Sequence, residues 1–245
     1  MPMLWIFLPV FLMVAASTSQ DTGRGGDVDG YDARRSSAAT EALLGAGRDA
    51  WERAQEVTWG PEIYATSFRA LWGEEGLFVR FDAVDPSPWH TLTEHDDHLW
   101  NEEVVEIFID PDGDGRNYVE VQINPHNVVC DLVIFEGSPN LRSDIDWNHE
   151  GLRSSVQPLR AADGETIGWT AVVFLPWSGF ATLPDIGGVR LPPRGGDVWR
   201  FNVFRIKRPA GPAEPERDAV YAAWSPTSGP SFHEPAVFRA LEFIE

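Results

Sequence analysis

The stretch His98-Leu99-Trp100-Asn101-Glu102-Glu103-Val104-Val105-Glu106-Ile107-Phe108-Ile109-Asp110 settles into a period of two once it reaches Val104. In an extended chain successive side chains point to opposite faces. Val105, Ile107 and Ile109 therefore share one face, and Val104, Glu106 and Phe108 share the other. Residues 118–124 repeat the pattern, with Val119, Val121 and Ile123 on one side and Tyr118, Glu120, Gln122 and Asn124 on the opposite one. If the two segments pair as a hairpin, Glu106 lies on one sheet surface with Gln122 and Asn124. Carboxylate and amide groups on one surface suit several sugar hydroxyls. An ordinary solvated strand face is the competing reading.

Working outward, Thr66–Trp72 and 77–84 flank Gly73-Glu74-Glu75-Gly76, which is hairpin punctuation between two strand-like runs. Further strand candidates are 128–135, 152–158, 168–175, 198–206 and 238–244. Short strands separated by Gly, Pro and Asp, with little room for crossover helices, predict an all-β antiparallel sandwich or barrel. No boundary interrupts residues 51–245, so they read as one domain. Apolar positions within 41–54 allow a short helix or two turns. Residues 20 to about 40 are rich in Gly, Asp, Ser and Arg without a hydrophobic period. They read as a linker, which makes 20–50 a linker and N-terminal extension.

Residues 1–19 carry no charged side chain and contain an apolar run from Leu4 to Ala16. That run is too short to span a bilayer and reads as a signal peptide, with cleavage expected between about Ser17 and Asp21. The expected product is secreted or periplasmic, with no integral membrane span after cleavage. The lone cysteine, Cys130, leaves no intrachain disulfide to form. A net charge of −19 repels phosphate backbones and anionic headgroups, which argues against nucleic acid and membrane-surface partners.

Several blocks resemble family 9 carbohydrate-binding modules and their DOMON-like relatives. They are Thr66-Ser67-Phe68-Arg69-Ala70-Leu71-Trp72, Gly76-Leu77-Phe78-Val79-Arg80-Phe81, Leu99 to Asp114, Tyr118 to Pro125, Gly196 to Arg205, Ala223-Trp224-Ser225-Pro226 and Phe232 to Phe238. They run in the family's order over most of Val57 to Phe243. The resemblance implies a β-sandwich that clamps an oligo- or polysaccharide between two aromatic rings, without catalysis and with no required cofactor. Matched by motif, Trp100 and Phe232 are the rings, and Glu106, Gln122 and Asn124 are the hydrogen-bonding groups. Two positions depart from the family pattern: the second ring is Phe rather than Trp, and Gln122 stands where an Arg is found. The implied role is support of extracellular polysaccharide breakdown, with any glycoside hydrolase on a separate chain.

Asp110, Asp112 and Asp114 have the spacing of the first half of a calcium loop, and structural calcium is one reading. The place of the twelfth-position Glu is taken by Val121, and a tight turn explains the same residues. The cluster His90, Glu94, His95, Asp96, Asp97 and His98 matches no zinc spacing and reads as a polar loop at the rim of the sugar site. Two other function classes compete. A haem-binding DOMON-like redox domain would need bis-His ligation, since Met1, Met3 and Met13 all fall in the signal. A glycoside hydrolase would need a poised carboxylate pair, and among Glu102, Glu103 and Glu106 nothing singles one out.

Overall fold

In the computed structural model, which describes residues 30–212 and 218–245, Ile107 and Val121 face the same interior and both are buried. The elements are β1 (Gly30–Arg35), α1 (Thr40–Leu44), a 3-10 turn (Arg48–Trp51), β2 (Val57–Trp59), β3 (Thr66–Trp72) and β4 (Gly76–Val84). There follow β5 (Val104–Asp110), β6 (Tyr118–Ile123), β7 (Val129–Glu136), β8 (Arg142–Asp144), β9 (Arg153–Arg160) and β10 (Thr166–Pro176). The chain closes with α2 (Trp177–Phe180), β11 (Val198–Lys207), β12 (Val220–Ala223) and β13 (Arg239–Ile244).

Hydrogen bonds connect the strands in the order β8-β7-β6-β5-β11-β13-β1-β3-β4-β10-β9, with β12 added to β11 and β2 to β3. This run folds back on itself as a sandwich. Ile107, Val121 and Phe201 of one half and Phe68, Val79 and Val173 of the other belong to one buried cluster. Each such side chain contributes on the order of 1.5–3 kcal/mol when withdrawn from water. The two halves pack through alternate residues, so one face of every central strand is spoken for. Gly168 is required where β10 crosses β4: a Cβ there would lie 1.9 Å from the Ala83 carbonyl oxygen.

The outer faces are covered differently. On the β3–β4–β10 side, Leu43, Leu44 and Trp51 of α1 and the 3-10 turn lie on Leu71, Phe78, Val172 and Phe174. On the β5–β6–β7–β11 side, loops bring Leu99 and Phe238 onto Phe108, Tyr118 and Phe204. Between the halves, Asp85 accepts from Arg205 Nη2 at 2.8 Å and from Lys207 Nζ at 2.9 Å. Lys207 also pairs with Glu103, and all four groups are buried.

Two sequence expectations change here. The segment read as a linker contains β1, whose Tyr31 and Ala33 are buried. The Tyr31 hydroxyl accepts from the Ala70 amide at 2.8 Å and donates to the Gln55 carbonyl at 2.7 Å. β1 also pairs parallel with both β13 and β3, so the otherwise antiparallel sheet is mixed at the strand that joins its halves. Two apolar side chains in six residues are too weak a period to mark such a strand. The predicted signal peptide, its cleavage point and residues 20–29 of the linker lie outside the described residues. No helix among the described residues is long and apolar enough to cross a membrane.

Candidate functional site: an aromatic cleft with an acidic floor

The outer face of β5–β6–β7–β11 carries a cleft of about 350 Å³. Sheet register fixes its floor. Phe204, Glu106, Gln122 and Cys130 form one row across the four strands, and Asn202, Phe108, Glu120 and Leu132 form the next. Glu106 is thus directly across from Gln122 and diagonal to Glu120, within the distance at which cross-strand side chains meet.

Two loops supply the rim. The 3-10 turn Leu99–Asn101 presents Trp100, whose ring stacks on His98 at 4.4 Å and 19°. The neighbouring Glu102 accepts from the amides of Thr91 and Leu92 and from the Thr91 hydroxyl, which ties the 88–97 loop to this turn. On the other side Phe232 lies flat on Phe204 at 4.2 Å and 21°, with Tyr221 edge-on to it at 5.8 Å. Trp100 and Phe232 are both half-buried and both line the cleft.

The floor is short of partners. Gln122 Nε2 donates to Glu120 Oε1 at 2.5 Å, but Glu106 Oε2, Glu120 Oε2 and Gln122 Oε1 are buried without a hydrogen bond. Buried acceptors left unpaired are costly. Burial, reinforced by Glu120, pushes the Glu106 carboxyl well above its ordinary range. Burial likewise raises Glu120 to about 7, against the opposing hydrogen bond from Gln122. The two carboxyls titrate as a coupled pair. Beside them His233 is held neutral by burial, its pKa lowered to about 4. Its Nδ1 is 3.1 Å from the Tyr118 hydroxyl, and its Nε2 is 3.8 Å from Glu120 Oε2.

Of the residues singled out from sequence, Trp100, Phe232 and Glu106 line this cleft. Gln122 sits in the floor behind Glu120. Asn124 is elsewhere: its Oδ1 accepts from the amides of His126 and Val128, and its Nδ2 donates to the Leu92 carbonyl. Its side chain is consumed in closing the β6–β7 turn, because β6 ends at Ile123 and the face assignment stops there. Glu120, His233 and Arg208 were not singled out, yet all three line the cleft. The alternation already put Glu120 on the correct face, but only register shows that it adjoins Glu106.

The carboxylates of Asp110, Asp112 and Asp114 come together, with oxygens within 4.8 Å of one another. Each also holds the turn: Asp110 accepts from the amides of Gly113 and Gly115, Asp112 from Asp114, and Asp114 from Arg116. In the acidic loop, His95 has Asp96 at 2.8 Å and Asp131 at 3.2 Å from its two ring nitrogens. The remainder of that cluster does not converge on one point: Asp97 accepts from Thr93 and Glu94, and His90 stacks on His126 at 4.1 Å. A larger depression of about 600 Å³ on the opposite sheet contains Arg69, Arg80 and Asp82. Those charges are already paired with one another, at 3.0 and 2.8 Å.

Fold and site define an all-β sandwich with an aromatic-rimmed, acid-floored cleft on one outer sheet face. Residues 46–136 match the carbohydrate family 9 binding domain-like family. The fold is shared with a candidate carbohydrate-binding protein of Bacteroides uniformis at TM-score 0.63 and 16% identity, covering 87% of this chain and 99% of that one. It is also shared with a family 9 carbohydrate-binding module of Caldicellulosiruptor kristjanssonii solved with cellotriose, at TM-score 0.59 and 15% identity over 87% and 93% of the two chains. A family 9 carbohydrate-binding module of Caldicellulosiruptor kristjanssonii solved with glucose shares it at TM-score 0.57 and 15% identity over 86% and 95% of the two chains. In sequence, a protein of Arthroderma benhamiae described as an extracellular protein is 26% identical over 186 residues, 73% of this chain and 78% of its own length. The resemblance read from the sequence is borne out by the match over residues 46–136 and by the shared fold.

Proposed function

We propose that this chain is a secreted, non-catalytic carbohydrate-binding module whose sugar lies in the cleft between Trp100 and Phe232, over Glu106 and its neighbours. One observation carries the reading. Three buried acceptor oxygens lack partners at the floor of a cleft rimmed by two aromatic rings. A pyranose offers an apolar C–H face to the rings and hydroxyl donors to the floor, so it answers both features at once. Support also comes from the relatives solved with cellotriose and glucose, and secretion is supported by the relative described as extracellular. Working beside a separate glycoside hydrolase on extracellular polysaccharide belongs to the same proposal. The domain is taken as residues 51–245, with β1 added to it by its packing. Screening the protein on a glycan array, followed by calorimetric titration of the best glycan, tests the reading. Saturable binding lost in Trp100→Ala supports it, and no binding to any glycan refutes it.

Structural calcium at Asp110, Asp112 and Asp114 is a secondary proposal, supported by the convergence of their oxygens. A rise in Tm on adding calcium that disappears in Asp112→Asn tests it. An unchanged Tm leaves the turn explained by its own amides.

A further inference from the structure

The cleft's hydrogen-bonding balance is one-sided. Its floor offers Glu106 Oε2, Glu120 Oε2 and Gln122 Oε1 as buried acceptors, while the donors beside them are engaged, Gln122 Nε2 on Glu120 and the Tyr118 hydroxyl with His233 Nδ1, and the unpartnered buried donor of the lining, Arg208 Nε, lies beyond the end of β11. A sugar hydroxyl donates one hydrogen but also carries lone pairs that need a donor, whereas an ammonium donates three hydrogens and accepts none. The two carboxyls are withdrawn from water without a cation in hydrogen-bonding contact, which favours their protonated form, and a ligand's positive charge would stabilise the ionised one. The rim adds the faces of Trp100 and Phe232, to which cations are attracted. The chain's net charge of −19 attracts cationic polymers at long range.

We propose that the cleft selects an amino sugar with a free, protonated amine, a glucosamine-type ring, whose ammonium sits between Glu106 and Glu120. This rests on the carbohydrate reading above and narrows it to a class of sugar. The groups facing the pair are His233 and Tyr118 from the loop and sheet beside it, and Arg208 beyond the end of β11. His233 is kept uncharged by its burial. Arg208 is the one permanent cation on the described lining, and its Nε is itself buried without a partner. Because burial favours the protonated form of the pair, seating an ammonium expels a proton from it.

The test is calorimetric titration at about pH 6, where a sugar amine, though less basic than a simple alkylamine, is largely protonated, with EDTA present so that no metal ion occupies the carboxylates. Three probes of equal length are compared: the glucosamine trimer, its fully N-acetylated counterpart and cellotriose. The expected result is at least about tenfold tighter binding of the free-amine trimer than of either neutral trimer. Its heat should vary with the ionisation enthalpy of the buffer as the proton is released. In Glu120→Gln the ratio of glucosamine-trimer to cellotriose affinity should collapse towards one, with circular dichroism confirming the fold. Should that variant not fold, the wild-type comparison decides alone. Cellotriose or the acetylated trimer binding as tightly as the free amine overturns the ammonium assignment and leaves the carbohydrate reading standing. If none of the trimers binds and the glycan array is also blank, both fall.

Discussion

Replacing Trp100 by Ala removes one wall of the proposed clamp, and the structure sets the scale of the loss. One face of the indole rests on His98 at 4.4 Å, and its remaining surface borders the cleft. Losing an aromatic stacking partner at the centre of a small site costs about 2–3 kcal/mol, which is roughly 30- to 150-fold in Kd. A sugar held at about 0.1 mM would move into the range of several mM or more, where calorimetry reads nothing. The fold should survive. Trp100 is half-buried at the edge of the outer cluster, away from the interior between the sheets. A truncation of that kind costs about 1–2 kcal/mol, or roughly 2–8 °C in Tm for a domain of this size. The assay is titration of wild type and variant against the tightest array glycan, with thermal unfolding alongside. An affinity within about threefold of wild type, in a variant that melts normally, would show that the ring is no stacking platform. It would also place any bound sugar elsewhere on the molecule.

The other predictions concern residues around this one. Phe232→Trp should tighten binding a few-fold, since Phe232 keeps one face on Phe204 and a larger ring adds area over the cleft; weaker binding would mean that the cleft has no room for it. Asn124→Ala should destabilise by about 2 kcal/mol through the lost turn contacts and leave sugar affinity unchanged, whereas a marked loss of affinity would return Asn124 to the site. Asp85→Asn strands Arg205 and Lys207 in the interior; breaking a buried pair costs about 3–5 kcal/mol, so Tm should fall by about 10 °C, and a drop of a degree or two would mean that Glu103 compensates. Glu120→Gln should stabilise the ligand-free protein more at high pH than at low pH. The folded carboxyl titrates near 7 rather than at its ordinary 4.5, so the folded state holds the extra proton between these values and loses stability as pH rises through them. Chemical denaturation of wild type and variant across about pH 5 to 8 reads this directly, and parallel curves would disprove the upward shift of Glu120.

The sequence by itself determined the class of fold. Alternation at Val105, Ile107 and Ile109, and again at Val119, Val121 and Ile123, is a local property of the strand, because side-chain direction follows from backbone pleat alone. Those residues are buried as the alternation requires. Glu106 was legible for the same reason, since its face follows from the alternation, whereas Trp100 and Phe232 were picked out by the motif resemblance alone. What spans the chain was not legible. β1 has too few apolar residues to stand out, and its place between β13 and β3 comes from partners 37 and 210 residues away. The buried quartet of Asp85, Glu103, Arg205 and Lys207 looks, in sequence, like ordinary surface charge. The same holds within the site. Asn124 and Glu120 share one face of the alternation, yet the first is spent on a turn and the second meets Glu106 in the floor. Alternation gives a side chain its face, but register and loop closure decide its neighbours. Only the folded sheet shows that three acceptor oxygens in the floor of this cleft are left without hydrogen-bond partners.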